Sequence, residues 1–219
     1  AIENSQMPGA LRAAIEANDL QAVRHQITIA GANINEDDCL TYAVSHDLHD
    51  ISSFLIACGA NCNVHDQFGT SPLHYAARLN NISLMHELIN AGANVAACDK
   101  AGLVPLHLAA LYGWHEAVGC LLRAGASAAV STSLGISPVE LCKRAILRRT
   151  RGLFTEQTTL GEIVDFHFDA GLMASEHRIS DPTVLNIASN PQVRRLQRVI
   201  RLLESSARDS RRRSRSGIS

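Results

Sequence analysis

The sequence predicts an all-α solenoid of stacked helix-turn-helix units with short β-hairpin fingers, an irregular fifth unit and a helical carboxyl-terminal cap. The first observation is a 33-residue period, since DQFGTSPLHYAA begins at Asp66 and DKAGLVPLHLAA begins at Asp99. A fixed period of this size is typical of stacked arrays, because one unit cannot cover its apolar face without a neighbour. The second observation is that apolar residues recur at helical spacing inside each unit.

The elements of the repeated unit each have a physical reason. Asp66 and Gly69 indicate a tight turn, because glycine reaches positive φ without a steric cost. Pro72 suits the first turn of a helix, where its missing N–H has no partner to lose, and Ser71 precedes it as an N-cap. A second amphipathic helix then ends at Gly92. The sequence therefore predicts a turn and two helices in each unit.

The segments SPLHYAA and VPLHLAA resemble the T-P-L-H-x-A-A helix of the ankyrin-repeat family, whose unit has a turn or hairpin and then two helices ending in G-A. The resemblance covers about residues 6–204 and is strongest from about 60 to 140. It implies that His74 and His107 bond locally to the backbone. A catalytic or metal-binding role for them lacks an acidic or cysteine partner at a suitable spacing.

The repeat domain is expected to span residues 6–204. Its units are expected at about 6–35, 36–65, 66–98, 99–131, 132–175 and 180–204. The offsets from Gly125 to Gly171 and from Val139 to Leu185 both exceed the period by 13 residues, which predicts an insertion at about 145–160 in the fifth unit. The segment PQVRRLQRVIRLLESS is expected to be the second helix of the sixth unit, and residues 205–219 a flexible basic tail.

Charge is divided between the two parts of the chain. Through Cys142 there are 5 lysines and arginines against 13 aspartates and glutamates, and from Lys143 onward there are 15 against 8. A basic face is therefore expected near the carboxyl end, suited to nucleic-acid phosphates or an acidic partner, although a solvated cap is the alternative. Its expected members are Arg144, Arg148, Arg149, Arg151, Arg194, Arg195, Arg198, Arg201, Arg211, Arg212 and Arg213.

The sequence predicts no catalytic residue, metal site or cofactor. It lacks the motifs of phosphate-binding loops, dinucleotide folds, zinc peptidases and serine hydrolases. The six cysteines fall at packing positions or unit ends, which favours free thiols in a reducing compartment, cytoplasmic or nuclear. No apolar run is long enough to span a bilayer. The chain begins at Ala1 rather than Met, which leaves open a targeting segment removed before it.

The resemblance implies a non-enzymatic adaptor, monomeric by itself, that holds a partner protein on its finger tips and on the exposed side of each first helix. Carried onto this sequence, those positions are Gln67, Phe68, Thr70, Arg78, Leu79, Lys100, Ala101, Leu103, Leu111, Tyr112, Ser133, Leu134 and Ile136, with Trp114 near the rim. One alternative is a component of a nucleic-acid or ribonucleoprotein assembly that uses the basic face. Another is a regulatory or assembly subunit of an enzyme complex, or a microbial effector.

Overall fold

The computed structural model describes residues 9–36, 38–150 and 190–216. Ten helices and no strand lie within these ranges. The helices are α1 (Ala10–Glu16), α2 (Leu20–Thr28), α3 (Cys39–Ser45), α4 (His49–Ala57), α5 (Pro72–Leu79), α6 (Ile82–Asn90), α7 (Pro105–Tyr112), α8 (His115–Arg123), α9 (Pro138–Thr150) and α10 (Pro191–Ser216). None of these helices is both long enough and apolar enough to cross a membrane.

The helices pack as two layers. The first helices of successive units stack in the order α1, α3, α5, α7 and α9, and the second helices stack in the order α2, α4, α6 and α8. Each second helix also packs on the first helix of its own unit. The core therefore runs unbroken along the stack, with fully buried side chains such as Ile15, Leu55, Leu73 and Leu106. The predicted all-α solenoid is confirmed.

The helices begin where the sequence predicts. Pro72 and Pro105 occupy the first position of α5 and α7, where a residue without an N–H is tolerated. The Asp19 carboxylate caps α2 by accepting the N–H groups of Gln21 and Ala22 at 2.9 and 3.0 Å.

The expected β-hairpins are absent from the described residues, and tight turns stand in their place. The Asp66 N–H donates to the Thr70 carbonyl oxygen at 3.1 Å, and the Asp99 N–H donates to the Leu103 carbonyl oxygen at 2.9 Å. A second bond lies inside each turn, since the Gly69 and Gly102 N–H groups donate to the carbonyl oxygens of Asp66 and Asp99 at 2.9 Å. No ladder of the kind that defines a strand pair follows in the described ranges.

The long helix α10 lies against α8 and α9. A Cβ atom on Gly113 would be 3.4 Å from the Leu196 side chain, and one on Gly119 would be 4.0 Å from Leu202. Gly113 lies two residues before α8 and Gly119 lies within it. The contacted residues of α10 are also six apart and in the same order, so α10 runs in the same direction as α8. In the stack, α10 therefore has the place of the second helix of unit five.

This placement differs from the sequence prediction, which assigned the start of α10 to the second helix of a sixth unit. The insertion beyond residue 150, the predicted second helix of unit five and the first helix of a sixth unit lie outside the described residues. The predicted unit boundaries there remain predictions.

The expected flexible tail also differs from the structure, because α10 continues through Ser216. After Pro191, residues 192–216 contain neither glycine nor proline and are rich in arginine, which has a high helix propensity. Glu204 precedes Arg208 by four residues, a favourable spacing for opposite charges on a helix. Residues 205–216 are thus helical.

Candidate partner-binding surface

Three successive units carry the same tight turn. We call these turns the fingers, and they comprise residues 66–70, 99–103 and 132–136. In the first finger, Asp66 Oδ1 accepts the N–H groups of Phe68 and Thr70 at 2.8 and 2.9 Å. Asp99 and Thr132 accept the equivalent pairs in the next two fingers at 2.8–3.3 Å. Each finger is therefore fixed by its own first side chain.

Neighbouring fingers are bonded to each other. The Lys100 N–H donates to the Phe68 carbonyl oxygen at 3.0 Å, and Ser133 Oγ donates to the Ala101 carbonyl oxygen at 3.3 Å. Gly102 has a φ of 75°, and a Cβ there would lie only 2.8 Å from the Ser133 nitrogen. Only glycine allows the two backbones to approach so closely. The fingers thus form a continuous edge rather than separate loops.

The tips of these fingers expose large apolar side chains. Phe68 is 62% exposed and Leu134 is 58% exposed, whereas the residue between them in the row, Ala101, is small and half-buried. The preceding residue of each tip is polar and exposed. We call these six residues the finger-tip row, and they are Gln67, Phe68, Lys100, Ala101, Ser133 and Leu134. The row therefore has two apolar projections separated by a notch at Ala101.

Three residues that the sequence analysis placed on the partner surface are buried. Leu103 is 4% exposed and Ile136 is 6% exposed, because both point into the corner between finger and first helix and pack with Leu108 and Leu141. Leu111 is 6% exposed and belongs to the main core. These three side chains stabilise the stack and cannot meet a partner, so their assignment to the surface was wrong.

The carboxyl ends of the first helices add to the exposed surface. Leu79, at the end of α5, is 38% exposed, and Tyr112, at the end of α7, is half-buried. The Arg78 guanidinium lies 4.9 Å from the centre of the Tyr75 ring, a cation–π distance. Trp114 is held within the protein, because its Nε1–H donates to the Arg78 carbonyl oxygen at 2.9 Å. Trp114 therefore links units three and four.

Tyr75 is a residue that the sequence analysis missed. Its hydroxyl donates to Asp66 Oδ2 at 2.6 Å and so joins α5 to the first finger. Thr70, in the same finger, is half-buried. Burial and the Asp66 carboxylate raise the pKa of Tyr75 to about 12. Burial raises the pKa of Asp66, but hydrogen bonds from Tyr75, Thr70 and Phe68 outweigh it and hold that pKa below its ordinary value. The pair is therefore ionised at the carboxylate alone near neutral pH.

A signal for Tyr75 was present in the repeat. Tyr42 stands 33 residues earlier, at the same position of α3, and it also carries an arginine over its ring, with Arg12 at 3.7 Å. The recurrence of tyrosine at one repeat position, on the exposed side of two first helices, identifies a surface site that the motif alone does not.

The two motif histidines are structural. His74 Nδ1 accepts the Ser71 N–H at 3.2 Å, so the proton lies on Nε2, which donates to the Leu103 carbonyl oxygen at 2.9 Å. His107 joins Val104 to Ile136 in the same way, at 3.1 Å each. Burial lowers the pKa of both residues, to about 4 for His107. Each neutral imidazole thus joins one unit to the next.

Metal and nucleophilic groups do not converge in the part of the chain that the structure describes. No cluster of three histidine, cysteine or acidic side chains there is arranged to hold a metal ion. The Cys120 sulfur and the His86 ring nitrogens are 3.9 Å apart, and burial raises the pKa of the Cys120 thiol. A thiol with a raised pKa is a poor nucleophile.

The predicted basic residues that the structure describes lie on α9 and α10, which pack against each other. Arg144 forms a salt bridge with Glu140 at 3.0 Å on α9, and Arg195 on α10 lies over Trp114 at 5.6 Å. The other exposed arginines of the predicted set within α10 are Arg194, Arg198, Arg201, Arg211 and Arg212. The side chains of Arg148, Arg149 and Arg213, and the whole of Arg151, lie outside the described part.

Two family models match the repeats. One, described as "Ankyrin repeats (3 copies)", matches residues 11–97, and another, described as "Ankyrin repeats (many copies)", matches residues 73–122. Together they cover just over half of the chain. The chain belongs to the ankyrin-repeat family. Ankyrin repeats are generally protein-protein interaction modules and are typically non-enzymatic. A search of curated proteins finds no match to this ankyrin-repeat chain.

Proposed function

We propose that the protein is a non-enzymatic adaptor that binds a partner protein through its finger-tip row, with Arg78, Leu79 and Tyr112 at the edge of the contact. The observation that carries this proposal is the exposure of Phe68 and Leu134, at 62% and 58%, on either side of Ala101. Exposed apolar side chains grouped on a fixed surface are typical of interaction sites.

The physical advantage of the row is its rigidity. Side-chain caps fix each finger, and bonds between fingers fix their spacing, as for Lys100 to Phe68 at 3.0 Å. A preformed surface loses little conformational entropy on association, so a few apolar contacts suffice for useful affinity. The notch at Ala101 suits one apolar anchor of the partner, held between Phe68 and Leu134.

The polar residues of the row contribute orientation rather than affinity. Gln67, Lys100 and Ser133 stand beside the apolar tips and are all exposed. Exposed polar groups at the rim of an interface hydrogen-bond with the partner and with water and set its register. The preferred partner segment therefore combines an apolar anchor with a carboxylate that reaches Lys100.

The proposal is tested by Phe68→Ala combined with Leu134→Ala. Loss of two central apolar contacts is expected to weaken partner binding by about 1,000-fold, since hot-spot side chains contribute about 2 kcal/mol each and every 1.4 kcal/mol is tenfold. Both residues are mostly exposed, so the fold should be unaffected. The measurement is capture of the partner from native extract on wild-type and variant protein, followed by titration of the captured protein.

The matched control is Ile29→Ala, which removes an apolar side chain that is 73% exposed but lies after α2, away from the fingers. The control is expected to keep the partner. Retention of the same partner at unchanged affinity by the double variant, with both variants folded by circular dichroism, would contradict the proposed surface.

A further inference from the structure

Helix α10 carries a row of arginines along one side. Arg194, Arg198, Arg201, Arg208 and Arg212 follow one another at intervals of four, three, seven and four residues. Since each residue turns an α-helix by about 100°, the five Cα atoms fall within an arc of about 80°. All five side chains are exposed. We call this set the arginine stripe.

The opposite side of α10 is already occupied. Val193, Leu196, Val199 and Leu203 are between 0 and 1% exposed and pack in the stack against the neighbouring helices. A helix binds a membrane surface by inserting its apolar face. Because that face is buried here, the stripe is what α10 presents to solvent, and a lipid surface does not fit it.

The charge of the stripe is weakly balanced. Arg198, Arg201, Arg208 and Arg212 form no salt bridge with any carboxylate whose side chain the structure describes. The whole of α10 contains nine arginines against only two acidic residues, Glu204 and Asp209. The stripe therefore places positive charge, little of it offset by carboxylates, along one side of a single helix.

The stripe is linear. From Arg194 to Arg212 the helix rises roughly 27 Å, at 1.5 Å per residue. By comparison with α8, which it follows in parallel, α10 continues for ten residues past the level of the α8 end, or roughly 15 Å. A long, straight array of guanidinium groups matches a ligand whose negative charges are also arranged in a line.

The chemistry of the stripe distinguishes between polyanions. It contains no apolar residue to serve as a central anchor, which a protein partner generally uses. It contains no aromatic residue on which unpaired bases would stack. An arginine side chain can recognise phosphate oxygens by paired hydrogen bonds without help from an apolar or aromatic neighbour. We propose that the arginine stripe of α10 binds the phosphodiester backbone of double-stranded nucleic acid, without reading its sequence.

This surface is separate from the finger-tip row, because it belongs to the layer of second helices and not to the fingers. The inference therefore does not rest on the proposed adaptor function. An adaptor with both surfaces joins a protein partner to a nucleic acid.

The test measures binding of the full chain to a fluorescent duplex of about 20 base pairs, as DNA and as RNA, between about 50 and 200 mM salt. Five phosphate contacts predict a slope of log affinity against log salt of about −4.5. Arg198→Glu with Arg201→Glu should leave a slope of about −2.7 and weaken binding at low salt by at least about tenfold. Arg208 and Arg212 lie beyond the end of α8, so replacing both with glutamine should leave the fold of the stack unchanged. The Arg208→Gln, Arg212→Gln variant should likewise have a shallower slope of about −2.7.

The matched control is Arg24→Glu with Lys100→Glu, which changes net charge equally at two exposed residues outside α10. It is expected to keep the wild-type slope, and Phe68→Ala with Leu134→Ala is expected to keep it as well. Three outcomes would overturn the proposal: no binding of either duplex at the lowest salt, an equal loss in the Arg24/Lys100 variant, or tighter binding of polyglutamate than of duplex. The last would identify an acidic protein instead.

Discussion

Replacing Leu106 with alanine is expected to lower the free energy of unfolding by about 3 kcal/mol, because the change removes buried methyl groups and leaves a cavity. Leu106 is 0% exposed in the main core, at the start of α7 between units three and five. The helices around it are held on both sides by neighbours, so the cavity cannot collapse fully. The measurement is urea unfolding followed by circular dichroism.

Leu134→Ala is the matched control, since it makes the same chemical change at a finger tip. Leu134 is 58% exposed, and its truncation should change the free energy of unfolding by less than about 0.5 kcal/mol. Equal destabilisation by the two substitutions would show that the burial assigned to Leu106 and Leu134 is wrong.

Mild acid is expected to destabilise the stack through the two buried histidines. The pKa of His107 is about 4 in the folded protein, against an ordinary value of 6.5. The unfolded chain therefore binds a proton between these two pH values that the folded chain does not. The stabilising effect is complete above about pH 6.5 and is lost as pH falls toward 4. His107 alone should cost about 2 kcal/mol of stability between pH 7.5 and pH 5.

The check is urea unfolding of wild type and His107→Gln at pH 7.5 and pH 5. Glutamine does not titrate, so the variant should be less stable at pH 7.5 but should lose less stability on acidification than wild type. His74, whose pKa burial also lowers, accounts for the loss that remains in the variant. The same loss in both proteins would contradict the role given to His107.

The repeat period predicted the central units well, because each element has a local cause. Pro72 and Pro105 start helices, and Asp66 and Asp99 start turns, irrespective of distant residues. The structure confirms these positions. Such signals depend on backbone chemistry within a few residues, which a sequence displays directly.

The burial of the residues in the corner between a finger and its first helix was harder to predict, although the sequence contains an indication of it. In unit three the corner residues are Thr70 and Tyr75, and both are polar and half-buried. In unit four the same positions hold Leu103 and Leu108, and both are buried. The joint change from polar to apolar at two repeat positions indicates a closed corner. A motif read one position at a time does not show it.

The place of α10 could not be predicted from the sequence. Its apolar face, which includes Leu196 and Leu203, shows that one side of the helix packs but does not show against which neighbour. A weak sixth copy of the motif, near Leu185, favoured a further unit. In the structure the helix lies on α8 and α9. The position of such a helix in the stack depends on packing between segments that are far apart in the chain, and the repeat period carries no information on that packing.

The central claim, that the finger-tip row contacts a partner protein, is tested most directly by site-specific photo-crosslinking. A photoreactive residue at Ala101, in the notch between Phe68 and Leu134, is expected to form a covalent adduct with the partner in native extract. The same residue at Ser83, exposed on α6 in the layer of second helices, serves as the control and should form none. An adduct at Ser83 with none at Ala101 would contradict the claim and place the contact on the other side of the stack.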